Sequence, residues 1–212
     1  MLLSQYLREG TAEKHAETEK VPYLVATFRG KLDLGTYVKQ LVCLEAIYNA
    51  MEKELERHKN HTILSRLYFP EIHRSEAIRK DIEFFASKKE IQVLGSTSEA
   101  TNRYMEYIQK TSESNPAMLV AQSYVRYLGD LSGGQVLRKI IAKTFQLEGK
   151  DGLEFYEFPL LFDLQAFKEK YRSIMNELPL TEPEKEQLLE EAKSTFDLNK
   201  DLFLELEVAL TA

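Results

Sequence analysis

The sequence predicts an all-α protein, a single compact multi-helix bundle that spans residues 1–212. Apolar residues recur at the helical spacing of three and four along most of the chain, and no convincing stretch alternates with the period of a strand. The 9 glycines and 6 prolines fall mostly between these helical stretches. A chain of 212 residues, 43% of them hydrophobic, can bury one sizeable core, and no linker divides it.

Composition restricts the possible partners and location. The formal net charge is -6, whereas a surface that binds nucleic acid is expected to be basic. The single cysteine excludes an intrachain disulfide and fits a reducing compartment. No apolar run approaches the roughly 18 residues of a membrane span, and the N-terminus lacks the apolar core of a signal peptide. We therefore expect a soluble, cytoplasmic protein without nucleic-acid or membrane partners and, since no apolar seam is evident, a monomer.

The N-terminal helices follow from the spacing of apolar residues. A first helix is predicted to begin near Ser4, and a short helix to cover about 23–28 and end before Gly30. The inward stripe of the first helix consists of Leu3, Leu7, Thr11 and His15. A long helix is predicted over about 34–59. Its buried face is marked by Leu34, Val38, Leu41, Leu44, Tyr48, Met51 and Leu55.

The middle of the chain has clear boundaries. The stretch 58–74 is broken by Pro70, and helices are predicted over 75–87 and 98–110. Asn115 and the proline after it combine an N-cap residue with proline at the first helical position. This signal opens a long helix predicted over 116–145.

The C-terminal part is predicted to contain two capped helices. Glycines at 149 and 152 mark a loop, and the aromatic stretch 155–162 is expected to be a buried connection. Asp163 caps a helix that runs to about 177, and Thr181 caps a last helix that runs to about 206. One face of the last helix carries Leu188, Leu189, Ala192, Phe196, Asn199 and Phe203. The whole chain is predicted to form seven or eight helices.

The stretch 124–135, YVRYLGDLSGGQ, interrupts the helix 116–145 with three glycines. Each glycine should cost roughly 1 kcal/mol relative to alanine inside a helix. Gly129 and Gly133 are four residues apart and therefore share a helix face, with Asp130 beside this bare patch. Two interpretations stay open from spacing alone. The patch serves close helix packing or a kink, or it lets a flat ligand lie on the backbone.

Few residues are candidates for chemistry. His15 is either a hydrogen-bonded core histidine or a metal or heme ligand, and Glu19, one turn on, could fix its tautomer or be a simple helix contact. A di-iron carboxylate bundle is disfavoured because no glutamate lies three residues before a histidine. Cys43 has apolar neighbours and is interpreted as a small buried hydrophobe rather than a nucleophile.

Several cationic residues have two interpretations. Lys168 and Arg172 lie four apart on one helix face, where they could clamp carboxylates at a pocket mouth or form a solvated edge. Arg8, on the helix predicted to carry His15, poses the same choice. Arg126 lies four residues before Asp130 and could pair with it along the helix.

Taken with the helix that carries His15, YVRYLGDLSGGQ closely resembles the heme oxygenase family, and the likeness covers nearly the whole chain in order. The segments TAEKHAETE, AIYNAMEKELER, RLYFPEIHR, YRSIMN and EEAKSTFDLNKDLF also look like parts of that family. Where members often carry lysine seven residues before the ligand, this chain has Arg8. The resemblance implies an all-α heme oxygenase-like bundle of the soluble bacterial type, without the hydrophobic C-terminal anchor of membrane-bound members.

The resemblance also implies a role for each site residue. His15 would be the proximal ligand of the heme iron, oriented by Glu19, and the helix with Gly129 and Gly133 would lie over the opposite face of heme. Asp130 would hold a network of waters there, with Tyr48 and Arg126 among its partners. Further heme contacts would come from Arg8, Tyr124, Lys168 and Arg172, the cations mainly through the propionates, and Phe196, Asn199 and Phe203 would help line or close the pocket.

The activity implied by the resemblance is the oxygen-dependent degradation of heme to biliverdin, carbon monoxide and ferrous iron. Heme b would be both cofactor and substrate. Electrons would come from an external reductase or ferredoxin-type donor, because the sequence has no flavin, nicotinamide or iron–sulfur motif. This donor is expected to dock near Lys168 and Arg172. Two alternatives stay open. One is a non-catalytic heme carrier of the same fold, which would not need Asp130, and the other is a thiaminase-like helical hydrolase that uses Cys43.

Overall fold

The computed structural model describes residues 1–88 and 97–206, and within these ranges the chain forms ten α-helices, four short 3₁₀ helices and no strand. The predicted all-α class is therefore confirmed. The α-helices are α1 (Leu3–Gly10), α2 (Ala12–Thr18), α3 (Pro22–Phe28), α4 (Leu34–Arg57), α5 (Ser75–Ser87), α6 (Glu99–Ser114), α7 (Leu119–Asp130), α8 (Gly133–Thr144), α9 (Leu164–Asn176) and α10 (Glu182–Glu205). The 3₁₀ helices are Leu64–Leu67, Pro70–Ile72, Pro116–Met118 and Glu154–Tyr156. No helix of the described ranges is both long and apolar enough to cross a membrane.

The predicted first helix is divided at Thr11 into α1 and α2. The Thr11 hydroxyl donates to the backbone oxygen of Leu7 at 2.7 Å, and the Thr11 backbone, with φ -104° and ψ 0°, leaves the helical conformation. Gly10 lets this bend approach α10, because a Cβ at that position would lie 2.5 Å from Cδ1 of Leu189. Leu7 and Thr11 are buried, but the side chain of His15 is 59% exposed. The prediction that His15 continues the inward stripe is therefore wrong.

The helix α4 supplies one side of the core. Asp33 caps its start by accepting a hydrogen bond from the backbone nitrogen of Thr36 at 2.8 Å. The residues predicted to form its buried face are buried, except that Leu34 is partly exposed. The helix packs against α5, α6 and α7. This packing turns Tyr48, which is fully buried, toward α7.

The helix predicted over 116–145 is a 3₁₀ turn followed by two helices, α7 and α8. Its start is as predicted, because the Asn115 side chain accepts a hydrogen bond from the backbone nitrogen of Ala117 at 3.3 Å. The break falls at Ser132, whose φ of -119° and ψ of -83° are not helical. Gly129 therefore lies in the last turn of α7 and Gly133 begins α8. The two glycines border a bend, rather than sharing the face of one continuous helix.

The connection between α8 and α9 is held against α5. Asp81 in α5 accepts hydrogen bonds from the backbone nitrogens of Glu154 and Phe155, both at 2.8 Å. Gly152 turns the chain with a φ of 78°, and a Cβ there would lie 2.9 Å from ring atoms of Phe84. This part of the connection is fixed against the bundle.

The same connection is only partly buried, which corrects the prediction for 155–162. Phe155, Tyr156 and Phe158 are buried as expected. Leu160 and Phe162 are exposed, at 75% and 108% of their reference areas. The buried part therefore ends at Phe158, where the ring packs under the Arg74 guanidinium at 4.0 Å.

The last two helices are capped where the sequence predicts. Asp163 accepts hydrogen bonds from the backbone nitrogens of Gln165 and Ala166, and Thr181 forms a reciprocal capping box with Glu184. The described residues contain ten α-helices instead of seven or eight because two predicted helices are each divided in two. The helix α10 packs on α1, α2, α3, α6 and α7.

Candidate functional site

Four polar side chains from α4, α7 and α10 meet inside the bundle: Tyr48, Arg126, Asp130 and Asn199. We call them the buried polar cluster, and each is at most 8% exposed. The Tyr48 hydroxyl donates a hydrogen bond to Oδ2 of Asp130. Arg126 donates from Nε to the Tyr48 hydroxyl at 3.1 Å and from NH1 to Oδ1 of Asn199 at 2.5 Å. Arg126 and Asp130 are thus joined through Tyr48, and the direct pair along the helix is not formed.

Burial sets the proton affinity of this cluster. Desolvation raises the pKa of Asp130 from 3.8 to about 6, although the charge of Arg126 and the hydrogen bond from Tyr48 oppose the shift. Burial also raises the pKa of Tyr48 well above 10. Burial lowers the pKa of Arg126, but attraction to Tyr48 and Asp130 outweighs it and raises that pKa above its usual 12.5. Asp130 is therefore the member of the cluster that can gain or lose a proton near neutral pH.

A second layer of buried polar residues surrounds the cluster and was missed by the sequence analysis. Oε1 of Glu52 accepts a hydrogen bond from the backbone nitrogen of Arg74 at 2.5 Å and from the Tyr127 hydroxyl at 3.5 Å. Arg74 lowers the pKa of Asp130, whereas Glu52 raises it. The available signal was Glu52 itself, a carboxylate one turn after Tyr48 on the buried stripe of α4.

The backbone beside Asp130 is bare. Apart from the adjacent residues and the backbone of its own helix, an ideal Cβ added at Gly129 or Gly133 would meet no described atom within 4 Å, whereas one at Gly134 would touch Cδ1 of Tyr156 at 3.6 Å. None of the three glycines has a positive φ. Backbone conformation and helix packing therefore do not explain Gly129 and Gly133. Of the two interpretations of the motif, the open surface favours a ligand that lies on the backbone.

His15 lies near the end of α2, with Glu19 directly after the helix. Nδ1 of His15 is 3.7 Å from Oε1 of Glu19, which is longer than a hydrogen bond. The ring of Phe196 meets the His15 ring edge-on, with 5.7 Å between the centroids. His15 and Glu19 are 59% and 54% exposed, so the histidine is reachable from outside the core.

Cations from two helices gather near Tyr124. Burial raises the pKa of Tyr124, and the charges of Arg172 and Arg8 act on it in the opposite direction. Lys168 lies one turn before Arg172 on α9, and both are partly exposed. Within the described ranges, no carboxylate lies within 4.0 Å of the charged nitrogens of Arg8, Lys168 or Arg172. Such an arrangement suits an acidic ligand.

The helix α10 connects these groups. Within one turn, Phe196 contacts His15 and Asn199 accepts from Arg126. Phe203, two turns after Phe196, stacks on Tyr23 of α3 with 5.3 Å between ring centroids. The structure therefore brings Phe196 to His15 and Asn199 to the buried polar cluster. Phe203 packs against α3 instead.

The residues present fit heme better than a bare metal ion or a thiol nucleophile. The described residues contain no group of three or more histidine, cysteine, aspartate or glutamate side chains that could hold a metal ion. One reachable histidine is enough for heme, because the macrocycle supplies the in-plane ligands. The bare backbone suits the flat macrocycle of heme. The cations near Tyr124, which form no salt bridge among the described residues, suit its two carboxylates. Cys43 is 0% exposed, which leaves a thiol-dependent hydrolase without an accessible nucleophile.

The chain is similar to known proteins over nearly its whole length. The protein family described as Heme oxygenase matches residues 1–205. The chain is 39% identical over 207 residues to a heme oxygenase of Guillardia theta, covering 98% of this chain and 87% of that protein. The solved heme oxygenase of Leptospira interrogans is 41% identical, with a TM-score of 0.90, over 97% of this chain and 100% of that one. The heme complex of heme oxygenase-1 from Synechocystis sp. PCC6803 is 37% identical, with a TM-score of 0.91, over 98% and 93%.

Proposed function

This chain belongs to the heme oxygenase family, and from that premise we propose how its own residues serve the conversion of heme to biliverdin, carbon monoxide and ferrous iron. The observation that carries the proposal is a buried carboxyl group, Asp130, beside an open glycine backbone. A protein that only carried heme would have no use for a titratable acid at this place, and burying it costs stability.

His15 on α2 and the open backbone at the bend between α7 and α8 would hold heme. His15 would supply the ligand to its iron, and Glu19 and the Phe196 ring would restrict the orientation of the imidazole. Arg8, Lys168 and Arg172 would bind the propionates, which would account for cations that have no carboxylate partner in the described chain. When bound, heme supplies both the iron that activates oxygen and the macrocycle that is opened.

We assign proton transfer to Asp130, on the side of the bound heme that faces away from His15. A pKa of about 6 lets its carboxyl group hold a proton and release it near neutral pH. The Tyr48 hydroxyl and Arg126 fix its orientation, and Asn199 in turn fixes Arg126. Gly129 and Gly133 leave room on the backbone, so that a water can stand between the carboxyl group and the substrate.

The test is a heme titration followed by turnover. One equivalent of hemin should produce a sharp Soret band, and ascorbate in air with an iron chelator should convert it into a biliverdin spectrum. A Soret band that persists under these conditions and under enzymatic reduction would indicate a carrier. The absence of any Soret shift would remove heme from the account. His15→Ala should lose the histidine-ligated spectrum while keeping the fold.

Electrons come from a separate protein, which we place on the face of α9 that carries Lys168 and Arg172. Their charges and partial exposure support an acidic partner. Charge reversal at both positions should slow turnover with a protein donor more than turnover with ascorbate, which needs no docking. Equal losses with the two reductants would assign these residues to heme binding alone.

A further inference from the structure

The helix that carries His15 has little apolar anchorage. The helix α2 is only 7 residues long, and its one buried residue is Thr18, which is 8% exposed. Helices of this length are marginal on their own in water, so contacts with the rest of the protein must hold it. The helix α2 packs mainly on α10 and also contacts α1. Polar contacts with α10 therefore contribute to holding it in place.

Those polar contacts are ionic, and they involve residues on either side of His15 along α2. Lys14, directly before His15, places Nζ 2.8 Å from Oδ1 of Asp197. Glu17, two residues after His15, places Oε2 2.8 Å from Nζ of Lys200. The Lys200 nitrogen is also 3.5 Å from Oδ1 of Asp197, so four charges of alternating sign form one network. We call these four residues the ionic bracket.

The ionic bracket acts on the same turn of α10 that serves both parts of the site. Phe196 precedes Asp197 and contacts the His15 ring, and Asn199 precedes Lys200 and receives the Arg126 guanidinium. A shift of α2 along α10 would therefore change how the His15 ring meets Phe196. The side chains of the bracket are 26% to 42% exposed, so added salt can reach and screen them.

We propose that the ionic bracket positions His15 by holding α2 on α10, and that it makes the retention of heme dependent on ionic strength. The inference rests on the proposed function only in taking His15 as the ligand. An isolated exposed ion pair contributes little, but a network gains from shared partners. The four residues are positioning residues, because none of them needs to touch heme.

The first test uses heme-free protein and hydrogen–deuterium exchange of the α2 amides. Asp197→Asn should speed exchange across α2 by roughly fivefold at low salt, and 1 M NaCl should abolish the difference. Lys185→Gln is the matched control, since Lys185 is 25% exposed, lies on the same helix and pairs with Glu182 away from α2. Lys200→Glu should also speed exchange, and adding Glu17→Lys should restore only part of the protection, because it re-forms the pair between positions 17 and 200 but leaves a carboxylate at position 200 facing Asp197.

The second test measures transfer of heme to apomyoglobin. Transfer from Asp197→Asn should be about fivefold faster than from the wild type at low salt, with the Lys185→Gln variant unchanged. Unchanged α2 exchange in Asp197→Asn, or unchanged α2 exchange in Lys200→Glu, would overturn the bracket. If the wild-type protein forms no complex that His15→Ala abolishes, the proposed function fails instead, and the exchange experiment still decides whether the bracket holds α2.

Discussion

Asp130 carries a carboxyl group that is 8% exposed and accepts a hydrogen bond from Tyr48. Because burial raises its pKa, the folded protein binds this proton more tightly than the unfolded chain does. The stability contributed by this proton is fully present below the usual pKa of 3.8 and is lost as the pH rises through about 6. The group that we propose as the proton donor therefore destabilises the fold at neutral pH.

The raised pKa of Asp130 predicts how Asp130→Asn changes the pH dependence of stability. The free energy of unfolding of the variant, relative to the wild type, should increase as the pH rises from about 4 to about 7, by up to about 3 kcal/mol. Urea titrations at a series of pH values measure this difference, and a difference that is independent of pH would contradict a raised pKa at Asp130.

The sequence predicts single residues unevenly. The resemblance pointed to Tyr48, Arg126, Asp130 and Asn199, which the structure joins by hydrogen bonds. Spacing alone could not pair Tyr48 with Asp130, because they lie 82 positions apart on different helices. Glu52 was missed because a carboxylate on a buried stripe is readily taken for a solvated edge.

At the scale of elements, α7 and α8 present a bare surface at the bend between them. Gly129 and Gly133 have open space where a side chain would stand, whereas Gly134 faces Tyr156. A helix gains stability when alanine replaces glycine, unless the new methyl group meets another atom. We therefore expect ligand binding to offset the helix stability that is lost by having glycine instead of alanine at these positions.

The matched pair Gly129→Ala and Gly134→Ala tests this expectation. Both should raise the unfolding free energy of the heme-free protein, by up to about 1 kcal/mol. Only Gly129→Ala should weaken heme binding and shift the Soret band, since its methyl group would enter the open surface. Heme titrations compare the two variants directly, and equal behaviour would mean that heme does not lie on this surface.

Helix breaks limited what the sequence could predict at this scale. Thr11 and Ser132 each lie at a break between two helices. Apolar spacing of three and four residues predicts helix around such a position but does not by itself locate a bend of one or two residues. At Thr11 the bend lies against α10, where a Cβ at Gly10 would meet Leu189, and helical spacing does not report such a long-range approach. Caps at Asn115, Asp163 and Thr181 are local, and these were predicted correctly.

At the scale of the whole molecule, the described helices share one hydrophobic core. Heme joins elements that are distant in sequence, because its proposed contacts come from α1, α2, α7 and α9. A ligand that binds only the folded state stabilises it by RT ln(1 + [L]/Kd), about 2.7 kcal/mol at a hundredfold excess over Kd. The single-domain prediction for residues 1–212 can be tested in the same way.

The prediction is one cooperative unfolding transition, shifted to higher temperature by heme. Circular dichroism and tyrosine fluorescence should give coincident melting curves, since the chain has 11 tyrosines and no tryptophan. Heme should raise the melting temperature of the wild type, and should do so less in His15→Ala. Two separate transitions would contradict the single domain.

The central claim is that Asp130 supplies protons for heme cleavage rather than helping to bind heme. It is tested most directly by the rate at which one equivalent of bound heme becomes biliverdin in Asp130→Asn and in the wild type, under the same reductant. The account predicts a similar Soret band and heme affinity in the variant, with biliverdin formation slower by roughly a hundredfold. Equal rates of biliverdin formation in the two proteins would contradict it.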